Sequence, residues 1–331
     1  MPKELIDECA ALIQTCRSEL AKKIVGQNAM IDGLLTGLIA GGHVLLEGVP
    51  GLAKTLAVKS LAEITGLNFK RIQFTPDLLP ADLTGTLIWE QNTGTFSVRK
   101  GPVFANVILA DEINRAPAKV QSALLEAMEE KQVTIGETSF LLPEPFFVLA
   151  TENPIEHEGT YSLPEAELDR FLIKLLVTYP DPNEELEIVK RSAHLAENAG
   201  VSRLSPVLDL KGLALLRNAV NAIYVDERVN QYIVSLVSAT RPVGGRSAQN
   251  SGEGLYRYLS YGASVRASIA LQRCARINAL FHGNNFVSPA DVKTAAIPVL
   301  RHRIVLSWEA EAEGLTTDAV ISKILSHVPV P

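Results

Sequence analysis

Apolar residues recur every three or four positions near the start of the chain, at Leu5, Ile6, Cys9, Leu12, Ile13, Cys16 and Leu20. That spacing predicts an amphipathic helix with two thiols on its buried face. A short hinge, Ile24-Val25-Gly26-Gln27, is followed by an apolar helical stretch to Ala40, and Gly41 and Gly42 separate it from a buried-strand run, His43 to Glu47. Lys54 to Ile64 is helix-forming, Lys70 to Phe74 reads as a strand, and Val107 to Ala110 and Phe146 to Ala150 are two more apolar runs. Short apolar runs alternating with helices predict a parallel sheet covered on both faces.

Two insertions interrupt that alternation. Thr84 to Trp89 and Gly94 to Val98 read as one β-hairpin, and Gln132 to Ile135 with Thr138 to Leu141, turning at Gly136-Glu137, as another. Beyond Pro180-Asp181-Pro182 the strand signals stop, and helical patterns cover Glu184–Ala199, Leu208–Val220, Asp226–Ala239, Ala263–Phe281 and Pro289–Leu300. The fold class expected is α/β, with a layered core over residues 1–180 and a smaller all-helical domain over 181–331.

Composition narrows the function classes. With 47% apolar residues among 331, the chain has enough material for real cores. The balance of 31 basic against 37 acidic residues gives a net charge of −6, so bulk attraction to nucleic acid or an anionic membrane is not expected. Cys9, Cys16 and Cys274 cannot make a disulfide framework, and no Cys or His spacing suggests a zinc site, so the chain reads as cytoplasmic. The opening MPKELIDECA has acidic residues and no apolar run, unlike a signal peptide, and no run of about 18 apolar residues suggests a membrane span.

The chemistry lies between the first strand and the helix after it. Gly48, Val49, Pro50, Gly51, Leu52, Ala53, Lys54, Thr55 and Leu56 form a strand-to-helix loop of the kind that turns backbone N–H groups towards phosphate oxygens. Lys54 would reach the β- and γ-phosphates, and Thr55 would give its hydroxyl to magnesium. Ala53 stands where the G-x-x-x-x-G-K-[ST] pattern has its second glycine, and a positive φ there would cost alanine roughly 1 to 2 kcal/mol. Val107 to Ala110 then ends in Asp111-Glu112 at the carboxyl edge of the sheet, where open α/β sheets bind ligands. Asp111 would hold the magnesium shell and Glu112 would orient and polarise the attacking water. Together these residues predict magnesium-dependent hydrolysis of a nucleoside triphosphate by positioning and charge stabilisation.

GVPGLAKT, LADEINRAP, ATENPIEHEGTYSLPEAELDRF and YGASVRA, in this order, closely resemble the MoxR family of AAA+ ATPases over nearly the whole chain. The resemblance implies a P-loop AAA+ core with two inserted hairpins, followed by a helical lid, and it implies ATP with Mg2+. It implies that Asn153 senses the γ-phosphate, that Arg170 is an arginine finger reaching a neighbouring subunit, and that Arg266 is the lid-borne second sensor. Val265 stands where the family often has proline. Val25 and Gly26, with Gln27, match the hinge near the adenine. Ordinary alternatives remain open: Arg170 pairing with Asp169 or Glu167, Arg115 at a subunit interface, in capping or in a surface ion pair, and Trp89 with Phe96 as pore contacts or as a cross-strand pair.

The resemblance further implies a homo-oligomeric ring, hexameric in the usual case, which remodels or matures protein clients with a von Willebrand factor A domain partner. A nucleic-acid motor on the same core is the first alternative, disfavoured by the net charge and by aromatics at 6%. The ATPase subunit of a metal chelatase is the second, and it needs a partner to hold the tetrapyrrole.

Overall fold

The computed structural model describes residues 3–49, 51–154, 160–197, 203–242 and 256–331; Pro50 of the phosphate loop and the last two positions of the helix expected over 184–199 lie outside them. Helices α1 (Lys3–Ala21) and α2 (Asn28–Ala40) precede strand β1 (His43–Gly48), and α3 (Lys54–Thr65) leads to β2 (Phe69–Gln73) and the short α4 (Pro80–Thr84). The first hairpin is β3 (Gly85–Glu90) with β4 (Thr95–Lys100), followed by β5 (Val107–Asp111) and α5 (Ala118–Glu130). The second hairpin, β6 (Gln132–Ile135) with β7 (Thr138–Leu141), comes before β8 (Phe147–Glu152), the short α6 (Glu165–Leu168), β9 (Phe171–Val177) and α7 (Pro182–Glu197).

The five main strands form one sheet in the order β2-β5-β8-β1-β9. The β2–β5, β5–β8 and β8–β1 pairings are parallel, as the apolar runs predicted. Every residue of β5 is buried, and β1 and β8 are each buried at five of their six positions. Helix α2 crosses this layer closely because it carries glycine at two positions one turn apart. A Cβ on Gly37 would come within 2.4 Å of Val44 Cγ2, and one on Gly33 within 2.3 Å of Leu175 Cδ1. Strand β9 was not among the sequence-predicted strands, although Phe171 to Val177 is an apolar run. Leu176 on it is 45% exposed.

Both predicted hairpins form. Trp89 lies directly opposite Phe96, with ring centroids 5.0 Å apart in an edge-to-face arrangement, so the cross-strand pair exists; both rings also remain exposed. Leu87 of the first hairpin lies against the turn of the second, where a Cβ on Gly136 would come within 2.7 Å of Leu87 Cδ1.

Contacts divide the chain into two compact units, one of 14–171 with 175–211 and the other of 1–13, 172–174 and 212–331. This division differs from the boundary expected at 180/181, because α7 and the segment after it hold onto the first unit. Arg191 donates to the carbonyls of Ala21 and Lys22, Leu204 N–H donates to Glu63, Ser205 N–H to Glu19, and Val207 and Leu208 N–H both to Ile64 O. The remaining elements are α8 (Leu210–Ala222), α9 (Glu227–Ala239), β10 (Leu259–Tyr261), α10 (Val265–Phe281), α11 (Pro289–Leu300), β11 (Val305–Leu306), α12 (Trp308–Ala312) and α13 (Thr317–His327). Side-chain caps start five of these helices: Asp226 for α9, Ser264 for α10, Ser288 for α11, Ser307 for α12 and Thr316 for α13. Ser288 and Asp291 form a reciprocal capping box at α11, with Pro289 in the first turn. The expectation of an all-helical second domain is corrected in one detail. The β10–β11 pair is antiparallel, and its strands are too short to leave an alternating pattern in the sequence.

His43, the first residue of β1, is buried neutral. Its Nδ1 accepts the N–H of Val148 at 3.1 Å, which fixes the tautomer and leaves Nε2–H to face Met128 O at 3.3 Å. Burial pushes its pKa down to about 4, against an ordinary value of 6.5, with Lys131 adding slightly in the same direction and the Met128 carbonyl opposing. Between those two values the unfolded chain binds a proton that the folded chain refuses. The contribution is therefore complete above pH 6.5 and is lost as pH falls towards 4, by up to about 3 kcal/mol. An NMR titration of the folded protein should show the His43 imidazole still neutral at pH 5; a midpoint near 6.5 would contradict the burial argument.

Candidate active site

The phosphate loop leaves β1 at Gly48 and enters α3 at Lys54. Gly51 has φ +87° and Ala53 has φ +55°, so the non-glycine residue does occupy a left-handed position. Ala53 supplies no side-chain cap to α3, which leaves the first N–H groups of that helix open to an anion. Lys54 is half-buried, and its Nζ donates to Gly48 O at 2.5 Å and to Glu152 O at 3.5 Å. These two carbonyls hold the ammonium across the loop and the end of β8. Burial lowers the Lys54 pKa, while Asp111, Glu112 and Glu47 pull it back up.

Asp111 and Glu112 emerge where β5 ends. Asp111 Oδ1 accepts the Thr151 hydroxyl at 2.6 Å, and Oδ2 accepts Arg71 Nη2 at 2.6 Å and Nε at 3.0 Å. Glu112 has φ +57°, and its N–H donates to Thr151 Oγ1 at 2.8 Å, so one hydroxyl serves both acidic residues. Glu112 Oε2 accepts from Gln73 Nε2 at 2.8 Å and from Arg115 Nη1 at 2.9 Å. Arg115 thus takes the ion-pair alternative within this chain. Gln73 and Arg71 are two apart on β2, on one face of the strand, and are themselves joined by an Nη2–Oε1 bond of 2.7 Å.

A cavity of about 410 Å3 gathers Gly51, Ala53, Lys54, Thr55, Leu56, Arg71, Asp111, Glu112 and Asn153. Five of the nine predicted phosphate-loop residues, Gly51, Ala53, Lys54, Thr55 and Leu56, therefore line one space with Asp111, Glu112 and Asn153. Asn153 is buried there at the carboxyl end of β8. The donor set suits magnesium: a hydroxyl and a carboxylate, both hard oxygens, beside a phosphate-binding loop. Among the described residues no cluster of three or more His, Cys, Asp or Glu could hold a metal ion.

Other predicted residues lie outside that lining. Gly48 begins the loop and accepts from Lys54, while Val49 and Leu52 are half-buried within it. Gly26 has φ +63° and packs so closely on Glu184 that a Cβ would come within 2.2 Å of the carboxylate, and Gln27 Nε2 donates to Thr178 O at 2.8 Å. The hinge of Val25 and Gly26 is thereby set beside the end of β9 and the start of α7. Arg170 pairs with Glu129 of α5 at 3.1 Å, a partner different from the Asp169 or Glu167 considered from sequence; Glu167 accepts the Ser122 hydroxyl instead. Arg266 lies in the first turn of α10 in the other compact unit, its N–H capped by Ser264.

Sequence reasoning missed Arg71, Gln73 and Thr151. In the sequence Arg71 and Gln73 fall within the strand run Lys70 to Phe74, with no motif to single them out. The available signal was two long polar side chains, two apart, on the strand that pairs with β5.

Residues 43–173 match the family model described as the ATPase family associated with various cellular activities (AAA), and residues 257–324 match the AAA lid domain. The chain is 46% identical over 313 residues to the Chaperone MoxR1 of Mycobacterium tuberculosis, covering 95% of this chain and 81% of that one. It is 30% identical over 324 residues to Protein MoxR of Methylorubrum extorquens, covering 95% and 93%. A crystal structure of a Cytophaga hutchinsonii protein proposed to be an ATPase superposes with a TM-score of 0.90 at 49% identity, covering 99% of this chain and 97% of that one.

The left-handed Ala53 yields a stability prediction. Glycine would relieve about 1 to 2 kcal/mol of backbone strain and give back about 0.4 to 1 through the freer unfolded chain. Ala53→Gly should therefore raise the unfolding free energy by up to about 1.6 kcal/mol, read as a higher urea midpoint at unchanged m-value. A lower midpoint would mean that Ala53 is not strained.

Proposed function

This chain belongs to the MoxR family of AAA+ ATPases, and we propose that it hydrolyses ATP at the cavity between the phosphate loop and the end of β5. The observation that carries the reading is the convergence of Lys54, Thr55, Asp111, Glu112 and Asn153 on one space. Lys54 holds its charge against the phosphates that become more negative during transfer. Thr55 and Asp111 would hold magnesium, which supplies charge neutralisation on the phosphate oxygens when bound. Glu112 orients and polarises the attacking water, and the Asn153 amide, able both to donate and to accept, keeps that water and the γ-phosphate in register. Arg170 would complete a neighbouring subunit's site, and Arg266 would act from the lid. Val25 and Gly26 would lie near the adenine.

In this reading the chain works in the cytoplasm as a homo-oligomeric ring of six subunits, the size that the family resemblance implies. It uses ATP turnover for chaperone-like remodelling of protein clients, in concert with a von Willebrand factor A domain partner. The M. tuberculosis relative named a chaperone supports this over a nucleic-acid motor, as does the net charge of −6.

Glu112→Gln should retain ATP binding and lower turnover by about 100-fold or more, since an amide cannot take the proton as the carboxylate does. A wild-type rate in that variant would remove Glu112 from the mechanism. Arg170→Ala should bind ATP normally and hydrolyse it slowly, with a loss on the order of 1000-fold if it acts as an arginine finger. Mixing the two inactive variants creates interfaces that contain an intact Glu112 and an intact Arg170, and some activity should return. If mass spectrometry shows mixed assemblies and the rate stays at the level of either variant alone, Arg170 acts within its own chain through Glu129.

A further inference from the structure

Asp111 closes a strand whose every residue is buried, and its own side chain is only 12% exposed. A carboxylate so placed needs a cation or a set of donors around it. Thr151 takes Oδ1, and Arg71 places two donors on Oδ2, from Nη2 at 2.6 Å and Nε at 3.0 Å. Lys54, the other cation of the cavity, donates instead to the carbonyls of Gly48 and Glu152. Arg71 lines the same cavity with its side chain 49% exposed, so the guanidinium lies on the open side of the carboxylate.

We infer that Arg71 is a built-in counter-ion that holds Asp111 until magnesium and nucleotide arrive, and that it must leave the carboxylate for the metal to be bound. This rests on the reading of Asp111 as a magnesium-facing residue. A dication and a guanidinium are like charges that need the same carboxylate lone pairs, so they compete for it. Arg71 can give way without losing every anchor, because its Nη2 is also bonded to Gln73 Oε1 at 2.7 Å on its own strand. By linkage, whatever the Arg71–Asp111 pair contributes to the metal-free site is subtracted from the apparent affinity for the metal-bound nucleotide. Arg71 is in this sense a positioning residue that sets how strongly nucleotide binding depends on magnesium.

The test is the ratio of dissociation constants of a fluorescent ADP analogue in EDTA and in saturating Mg2+, measured on the full chain. Arg71→Met should increase that ratio at least about fivefold over wild type, the lower end of typical coupling between two ligands. Mg2+ alone should also raise the melting temperature of Arg71→Met more than that of wild type, a readout that needs no nucleotide. In an Asp111→Asn background the same substitution should change neither quantity, since no charge remains to compete for. Arg71→Lys, which keeps the charge and loses the two-donor fork, should give an intermediate ratio and serves if the Met variant does not fold.

An unchanged ratio in Arg71→Met, or in Arg71→Lys where that variant stands in, overturns the inference. An equal loss of affinity with and without Mg2+ does so too, because it would make Arg71 a direct contact to the nucleotide. Asp111→Asn separates this failure from that of the underlying reading. If Asp111→Asn leaves the magnesium dependence intact, Asp111 is not in the metal shell; if it abolishes the dependence while Arg71→Met has no effect, only the role of Arg71 is wrong.

Discussion

The charge on Asp111 has to be met at the end of a strand that is otherwise sealed. Strand β5 runs through the interior of the sheet between β2 and β8, so its residues must be apolar until the carboxyl edge, and only there can a carboxylate emerge. Each flanking strand supplies one partner to it: Thr151 from β8 and Arg71 from β2. The strand order is therefore part of the chemistry. Exchanging β2 and β8 for other neighbours would leave the carboxylate without its donors, even with the phosphate loop unchanged. Lys54 reaches the same edge from the other side, held by Gly48 at the end of β1 and by Glu152 at the end of β8.

Backbone strain is concentrated at that edge. Among the described residues, four non-glycine positions have positive φ, and two of them, Ala53 and Glu112, line the cavity. Each such conformation costs on the order of 1 to 3 kcal/mol and persists only where its surroundings over-determine it. For Glu112 the surroundings are visible: its N–H is fixed to Thr151, and its carboxylate is held from two sides by Gln73 and Arg115. For Ala53 they are the tight exit from β1 and the first turn of α3, with Ala57 N–H bonded to Ala53 O at 2.9 Å.

The sheet, both hairpins and most of the site were legible because each leaves a local mark. Buried strands are short apolar runs, hairpins are pairs of β-rich runs around a turn, and the phosphate loop and Asp111-Glu112 are contiguous in sequence. What escaped was of two kinds. Strand β9 is apolar at six of its seven positions, and Lys174 in its middle breaks the run into two short pieces. Arg71, Gln73 and Thr151 are different, since nothing in a lone strand such as Phe69–Gln73 says which strand will lie beside it. Their roles follow only from the registers that set Gln73 opposite Asp111 and Ala150 opposite Ala110. The partner of Arg170 was missed for the same reason: Glu129 is distant in sequence and reaches it only through the packing of α5.

The exposed Trp89–Phe96 pair has a spectroscopic consequence. The chain has two tryptophans, Trp89 at the first hairpin and Trp308 at the start of α12, and they are 52% and 88% exposed. One belongs to each compact unit, and neither lies in a core. Tryptophan emission thus samples two surfaces, with the Trp89 signal shaped by the ring of Phe96, while the packing of both interiors contributes no indole of its own. A denaturation curve recorded at tryptophan wavelengths follows the hairpin and the α12 surface, and its agreement with backbone circular dichroism becomes a measure of how tightly those outer elements are tied to the units that carry them.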